Sequence, residues 1–111
     1  MIVTYLTDYE RELYASVPDK ELNEYLQEVR KKFDNKYLLQ EYVVKTKQLF
    51  RKEKQRVFYT LYFGSGVEVQ IINFASDGEG SINTGVTKSY LITYFLGLLN
   101  GFEYKERFKN N

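Results

Sequence analysis

Cysteine and histidine are both missing from this chain of 111 residues. The first absence removes disulfides, thiolate metal sites and thiol nucleophiles. The second removes the usual general base near neutral pH and the commonest metal ligand, so no Ser-His-Asp or Cys-His arrangement can form. Tryptophan is also absent, and proline occurs once, at Pro18. The longest apolar stretch, Ser89 to Phe102, contains Thr93, Tyr94 and Asn100 and is too short to span a bilayer, so no membrane association is expected. No Asn-x-Ser/Thr sequon occurs. The opening Met-Ile-Val-Thr-Tyr-Leu-Thr-Asp has no basic leader, which makes the cytoplasm the expected setting.

What the chain does contain is apolar and aromatic. Hydrophobic residues make up 43%, charged residues 28%, and 11 Tyr with 8 Phe carry the aromatic share to 17%. A chain of this size forms one domain and can bury about two-thirds of its surface in a real core. Eleven tyrosines exceed what one small core can bury with every hydroxyl satisfied, so some are expected at the surface or at an interface. The net charge of +1 is unevenly spread. Residues 1–44 hold six basic and nine acidic groups, and 57–104 hold Lys88 against four acidic groups. Residues 45–56 hold Lys45, Lys47, Arg51, Lys52, Lys54 and Arg56 against Glu53 alone. One hairpin is therefore basic on a nearly neutral molecule.

Hydrophobic periodicity predicts an α+β domain over 1–111. Ile2–Leu6 alternates like a short strand, and Thr7 with Glu10 has capping-box spacing for a helical turn running to Ala15. A second helix follows, with Ser16 as its expected cap, Pro18 in its first turn, and Leu22, Tyr25, Leu26, Val29 and Phe33 on one apolar stripe. Asp34-Asn35 ends it. From there the period is that of strands: 37–51, then 57–63, then a Gly64-Ser65-Gly66 turn and 67–74. These form a three- to four-stranded antiparallel meander. A strongly apolar helix is expected over 86–100, capped by Thr84 or Thr87 and ended by Gly101. We expect the first long helix on one sheet face and the last helix on the other face, or at a subunit contact.

Three features invite a functional reading. The segment 76–85, with Gly78, Gly80 and Gly85, lies between strand and helix, as phosphate loops do. Val86 and Thr87 separate Gly85 from Lys88-Ser89, however, so the P-loop spacing fails. What remains is a general anion site of main-chain N–H groups and Lys88, against a plain glycine connector. Asp77 and Glu79 lack the further oxygen ligands of a calcium loop, and no metal or other cofactor is expected. The basic hairpin, with Lys45, Lys47, Arg51 and Lys52 near Tyr59, has the cations and rings that single-stranded nucleic-acid binders use. Lysines at a strand end equally guard against edge pairing. The last helix is apolar on most sides and must be covered on most sides: either it is sandwiched between the sheet and the second helix, or, as a small domain seldom covers such a helix alone, it lies at a subunit interface with Tyr90, Ile92, Tyr94 and Leu96 as the expected interface residues.

The favoured reading is a small non-enzymatic protein–protein interaction protein, homo-oligomeric, with itself and another protein as partners. Its abundance of Lys, Tyr, Asn and Ile suggests an AT-rich genome and fits a phage or mobile-element accessory protein, such as an inhibitor of a host system, acting in the host cytoplasm. The alternative is a nucleotide or nucleic-acid binder using hairpin 45–56 and loop 76–85.

Overall fold

The computed structural model describes residues 2–46, 53–74 and 85–109, with side chains described as far as 45 and 101. Chain order gives β1 (Ile2–Tyr5), α1 (Asp8–Leu13), α2 (Lys20–Lys32), β2 (Tyr37–Thr46), β3 (Lys54–Phe63), β4 (Glu68–Ile71) and α3 (Lys88–Lys109). The α+β architecture is thus present, with one four-stranded antiparallel sheet in the order β1-β4-β3-β2. The meander β2-β3-β4 arises from consecutive strands with short connections, and β1 pairs with β4 from Ile2↔Ile71 to Tyr5↔Glu68.

Local chemistry sets the helix ends. Thr7 and Glu10 form both bonds of the capping box: the Glu10 N–H donates to Thr7 Oγ1 and the Thr7 N–H to Glu10 Oε1. The cap of α2 is Asp19, whose Oδ1 accepts from the Leu22 N–H at 2.9 Å, and not Ser16. Pro18 therefore precedes the helix rather than sitting in its first turn. Asp34 and Asn35 both take positive φ, at 55° and 59°, a conformation that Asp and Asn tolerate better than most residues. At α3, the Tyr90 N–H points to Thr87 Oγ1 at 3.4 Å, so Thr87 is the cap. The helix runs on through Gly101 to Lys109. Glycine in a helix interior costs only about 1 kcal/mol against alanine, and the following Glu, Lys and Arg favour continuation.

Strand alternation divides the core in two. Tyr37, Leu39, Tyr59 and Leu61 point to one face, where they meet Leu22, Leu26 and Val29 of α2 and Leu91, Phe95 and Leu99 of α3. Leu38, Tyr62 and Val69 point to the other, where they meet Leu6, Tyr14 and Ala15. Both long helices therefore share one sheet face, contrary to the expected opposite-face arrangement, and the short N-terminal segment takes the second. The segment between α1 and α2 passes round the edge of β2: Ala15 belongs to one cluster and Val17 to the other. Arg11 fastens α1 to the β3–β4 turn, donating to the carbonyls of Gly66 (2.7 Å) and Gly64 (2.9 Å). That turn needs glycine at 64, where a Cβ would meet Val69 Cγ1 at 2.9 Å.

A candidate interaction surface

Proximal and distal halves of the β2–β3 hairpin have different surroundings. Its pairing runs the full length from Tyr37↔Phe63 to Thr46↔Lys54. Near the body, Tyr37–Leu39 and Tyr59–Tyr62 are buried on both faces. Toward the tip, neither helix layer follows, and Val43, Val44 and Val57 are exposed at 49%, 37% and 45%. Lys45, Lys54 and Arg56 are exposed on the same arm. Register places Arg56, Lys54 and Phe58 on the face shared by Val44 and Tyr42, and the Tyr42 and Phe58 rings lie 6.2 Å apart.

The outer edge of β2 is protected in its first half. Arg30 donates to the Tyr37 carbonyl at 2.6 Å, and the Leu39 N–H donates to the Tyr14 carbonyl at 2.8 Å. Alternate residues of an antiparallel strand direct both main-chain groups the same way, so Glu41, Val43 and Lys45 also point outward. Among the described residues no main-chain group bonds them there. On the far side of β3, Tyr59 exchanges two main-chain bonds with Val86, at 2.8 and 3.0 Å. A cleft of about 430 Å³, lined by Leu13, Tyr14, Ser16, Val17, Pro18, Leu39 and Glu41, adjoins the open part of the β2 edge.

The expected site residues fall into separate places. Lys45 and Tyr59 share the hairpin, but Tyr59 is buried in the body and not presented with the cations. Burial first, then the Glu41 carboxylate that accepts from its hydroxyl, raises the Tyr59 pKa to about 12. Lys47, Arg51, Lys52, Gly78 and Gly80 lie outside the described residues. Lys88 faces α2, where its ammonium meets Asp19 Oδ2 at 3.0 Å and Glu21 Oε1 at 3.3 Å. The Asp19 bond is the main cause of its raised pKa. Asp19 is held below its ordinary value, first by the Leu22 N–H and then by Lys88. The cation assigned to an anion site thus has two carboxylate partners in the fold.

The four residues expected at a helix interface also separate. Ile92 and Tyr94 pack against the main core, and Tyr90 and Tyr94 both set their rings on Phe74, at 5.2 and 5.0 Å. Tyr90 remains 48% and Leu96 40% exposed. The outward side of α3 is otherwise small or polar: Ser89, Thr93, Gly97 and Asn100. A Cβ at Gly97 would meet nothing within 4 Å. Gly97→Ala is therefore expected to stabilise the chain by about 0.5–1 kcal/mol in urea unfolding, through helix propensity alone. Destabilisation, or loss of an oligomer, would instead mean that another backbone packs against this glycine.

Two surface features have no precursor in the sequence reading. Tyr9 and Leu13, one helical turn apart on α1, are 73% and 53% exposed, and the half-guarded β2 edge depends on contacts between residues 14 and 39. Among the described residues, no group of three or more Asp or Glu is placed to hold a metal ion, and no helix is long and apolar enough to cross a membrane. No protein-family model, curated protein or solved structure matches the chain.

Proposed function

We propose that this chain is a small non-enzymatic interaction protein that self-associates and offers its β2–β3 arm to protein partners. One observation carries the reading: the arm combines exposed Val43, Val44 and Val57 with outward main-chain groups at Glu41, Val43 and Lys45. Sheet edges of this kind bind extended chains through main-chain hydrogen bonds, with alternate side chains supplying selectivity. An accessory protein of a phage or mobile element, acting on a host system in its cytoplasm, would suit this size and residue usage.

Native mass spectrometry of the protein as purified tests the proposal. The expected spectrum shows multiples of the 13.2 kDa chain with no small ligand retained. A single 13.2 kDa species at micromolar concentration removes self-association. The second reading, polyanion binding, is favoured by the cations Lys54 and Arg56 on the face of the Tyr42–Phe58 ring pair. It requires oligonucleotide affinity that falls with salt, with a slope of roughly 0.9 per phosphate neutralised on B-DNA. A Lys54→Glu/Arg56→Glu variant that binds oligonucleotides as the parent does ends that reading.

A further inference from the structure

We infer that the occupant of the open β2 edge is the same edge of a second copy, paired antiparallel about a two-fold axis through Val43. The inference rests on the self-association proposed above and names its surface and register.

The argument begins with the direction of the main-chain groups. Glu41, Val43 and Lys45 point away from β3, as the outward bonds of Tyr37 and Leu39 establish. In a two-fold pairing centred on Val43, Val43 meets its own copy, Glu41 meets Lys45 of the copy, and Lys45 meets Glu41. All three are positions whose N–H and C=O face the partner, so the contact gains about six main-chain hydrogen bonds. It also sets Tyr42 opposite Val44 of the copy, an aromatic against a β-branched residue, on the other face.

Charge selects this register over its neighbours. Centring the pairing on Glu41 sets carboxylate against carboxylate, and centring it on Lys45 sets ammonium against ammonium, both unfavourable directly across a sheet. Of the pairings centred on the three outward residues, the Val43-centred one alone places opposite charges across both flanking pairs. The resulting contact is isologous and closes after two chains, producing one continuous sheet of the order β1-β4-β3-β2-β2-β3-β4-β1. It covers Val43 and Val44, which are exposed in the single chain. The ladder is bounded at Glu41 and Lys45, because the outward N–H of Leu39 is already held by Tyr14.

The test is a charge exchange on the whole chain, read by sedimentation velocity and native mass spectrometry. Wild-type protein is expected as a dimer. Lys45→Glu sets Glu against Glu across both flanking pairs, and Glu41→Lys sets Lys against Lys. Each variant alone is expected to raise the dimer Kd by at least about tenfold. Mixed, they restore both pairs and are expected to form a 1:1 heterodimer with near wild-type affinity. Circular dichroism of each variant confirms the fold, and Lys45→Glu, at an exposed position, serves where Glu41→Lys disturbs the Tyr59 contact. A wild-type monomer overturns self-association itself. A dimer that persists in both variants, or a mixture that fails to pair, overturns the β2 edge while leaving self-association through another surface intact.

Discussion

Phe95→Ala is expected to lower stability by about 3–5 kcal/mol, the usual loss for a large aromatic removed from a core. Leu96→Ala, one residue further, is expected to lose no more than about 1 kcal/mol, as for a partly exposed side chain. Phe95 is fully buried and is the largest such side chain among the described residues. It belongs to the cluster that joins α2, α3 and the helix-covered sheet face. Truncation leaves a void that α2 and β3 cannot both close, since each is held by its own bonds. Domains of this size have roughly 5–15 kcal/mol in total, so the variant is left near its unfolding threshold. Thermal and urea unfolding followed by circular dichroism measure the pair. Equal losses at both positions would show that Leu96 is buried in an assembly and that the outward side of α3 is in use.

Alkaline pH is expected to have the next largest effect. Among the described residues four tyrosines, Tyr14, Tyr37, Tyr59 and Tyr62, have hydroxyls whose ionisation the fold opposes. Burial is the first cause at each: it lifts Tyr62 to about 12, with Tyr14, Glu10 and Tyr42 adding to it. Tyr59 is likewise lifted to about 12, and Tyr37 is raised as well, with Tyr94 contributing. The Tyr62 hydroxyl donates to Gln40 Oε1 at 2.6 Å, and its ring stacks on Tyr14 at 5.8 Å. In the unfolded chain tyrosine titrates near 10. Between about 10 and 12 the native state therefore keeps protons that the unfolded state has released. Stability is fully present below about pH 10 and falls as pH rises toward 12. Each such group adds up to about 1.4 kcal/mol per pH unit to the slope across that window. Urea unfolding at about pH 9 and about pH 11 measures it. A flat profile would mean that these hydroxyls ionise freely in the fold. Tyr62→Phe should flatten the slope by its own share.

Much of this fold can be read from local patterns, and the misreadings have physical causes. The Thr7–Glu10 box, the Leu22-Leu26-Val29 stripe and the glycine turn before β4 are all short-range signals, and each appears where its spacing places it. Which helix covers which sheet face is not a short-range matter. Leu38 and Leu39 are both buried, as are Leu61 and Tyr62, so alternation does not distinguish the two sides. The last helix reads as apolar all round because Ile92 and Leu96 both widen its stripe. In the fold Ile92 turns into the core, and only Leu96 lies among Ser89, Thr93, Gly97 and Asn100. Lys88 reads as an available cation because Asp19 and Glu21, its partners, are some 70 positions earlier in the chain. The open β2 edge is hidden for the same reason, since its boundary is a bond between Tyr14 and Leu39.

The shared sheet face also constrains how the chain can be made. Residues of α2 depend on α3 for much of their cover, and β1 waits for β4, while β2 and β3 pair along their full length with each other. A growing chain therefore presents Leu22, Leu26 and Val29 long before Leu91, Phe95 and Leu99 exist to meet them. Translation at roughly 5–20 residues per second takes roughly 3–11 s to pass from the end of α2 to the start of α3. During that interval the hairpin has its pairing strands in place, and contacts of low sequence separation form fastest. Until α3 is made, the side of α2 that it covers stays open to chaperones and to other nascent copies. Slowing synthesis at codons between β4 and α3 should lengthen that exposure, and speeding it there should shorten it.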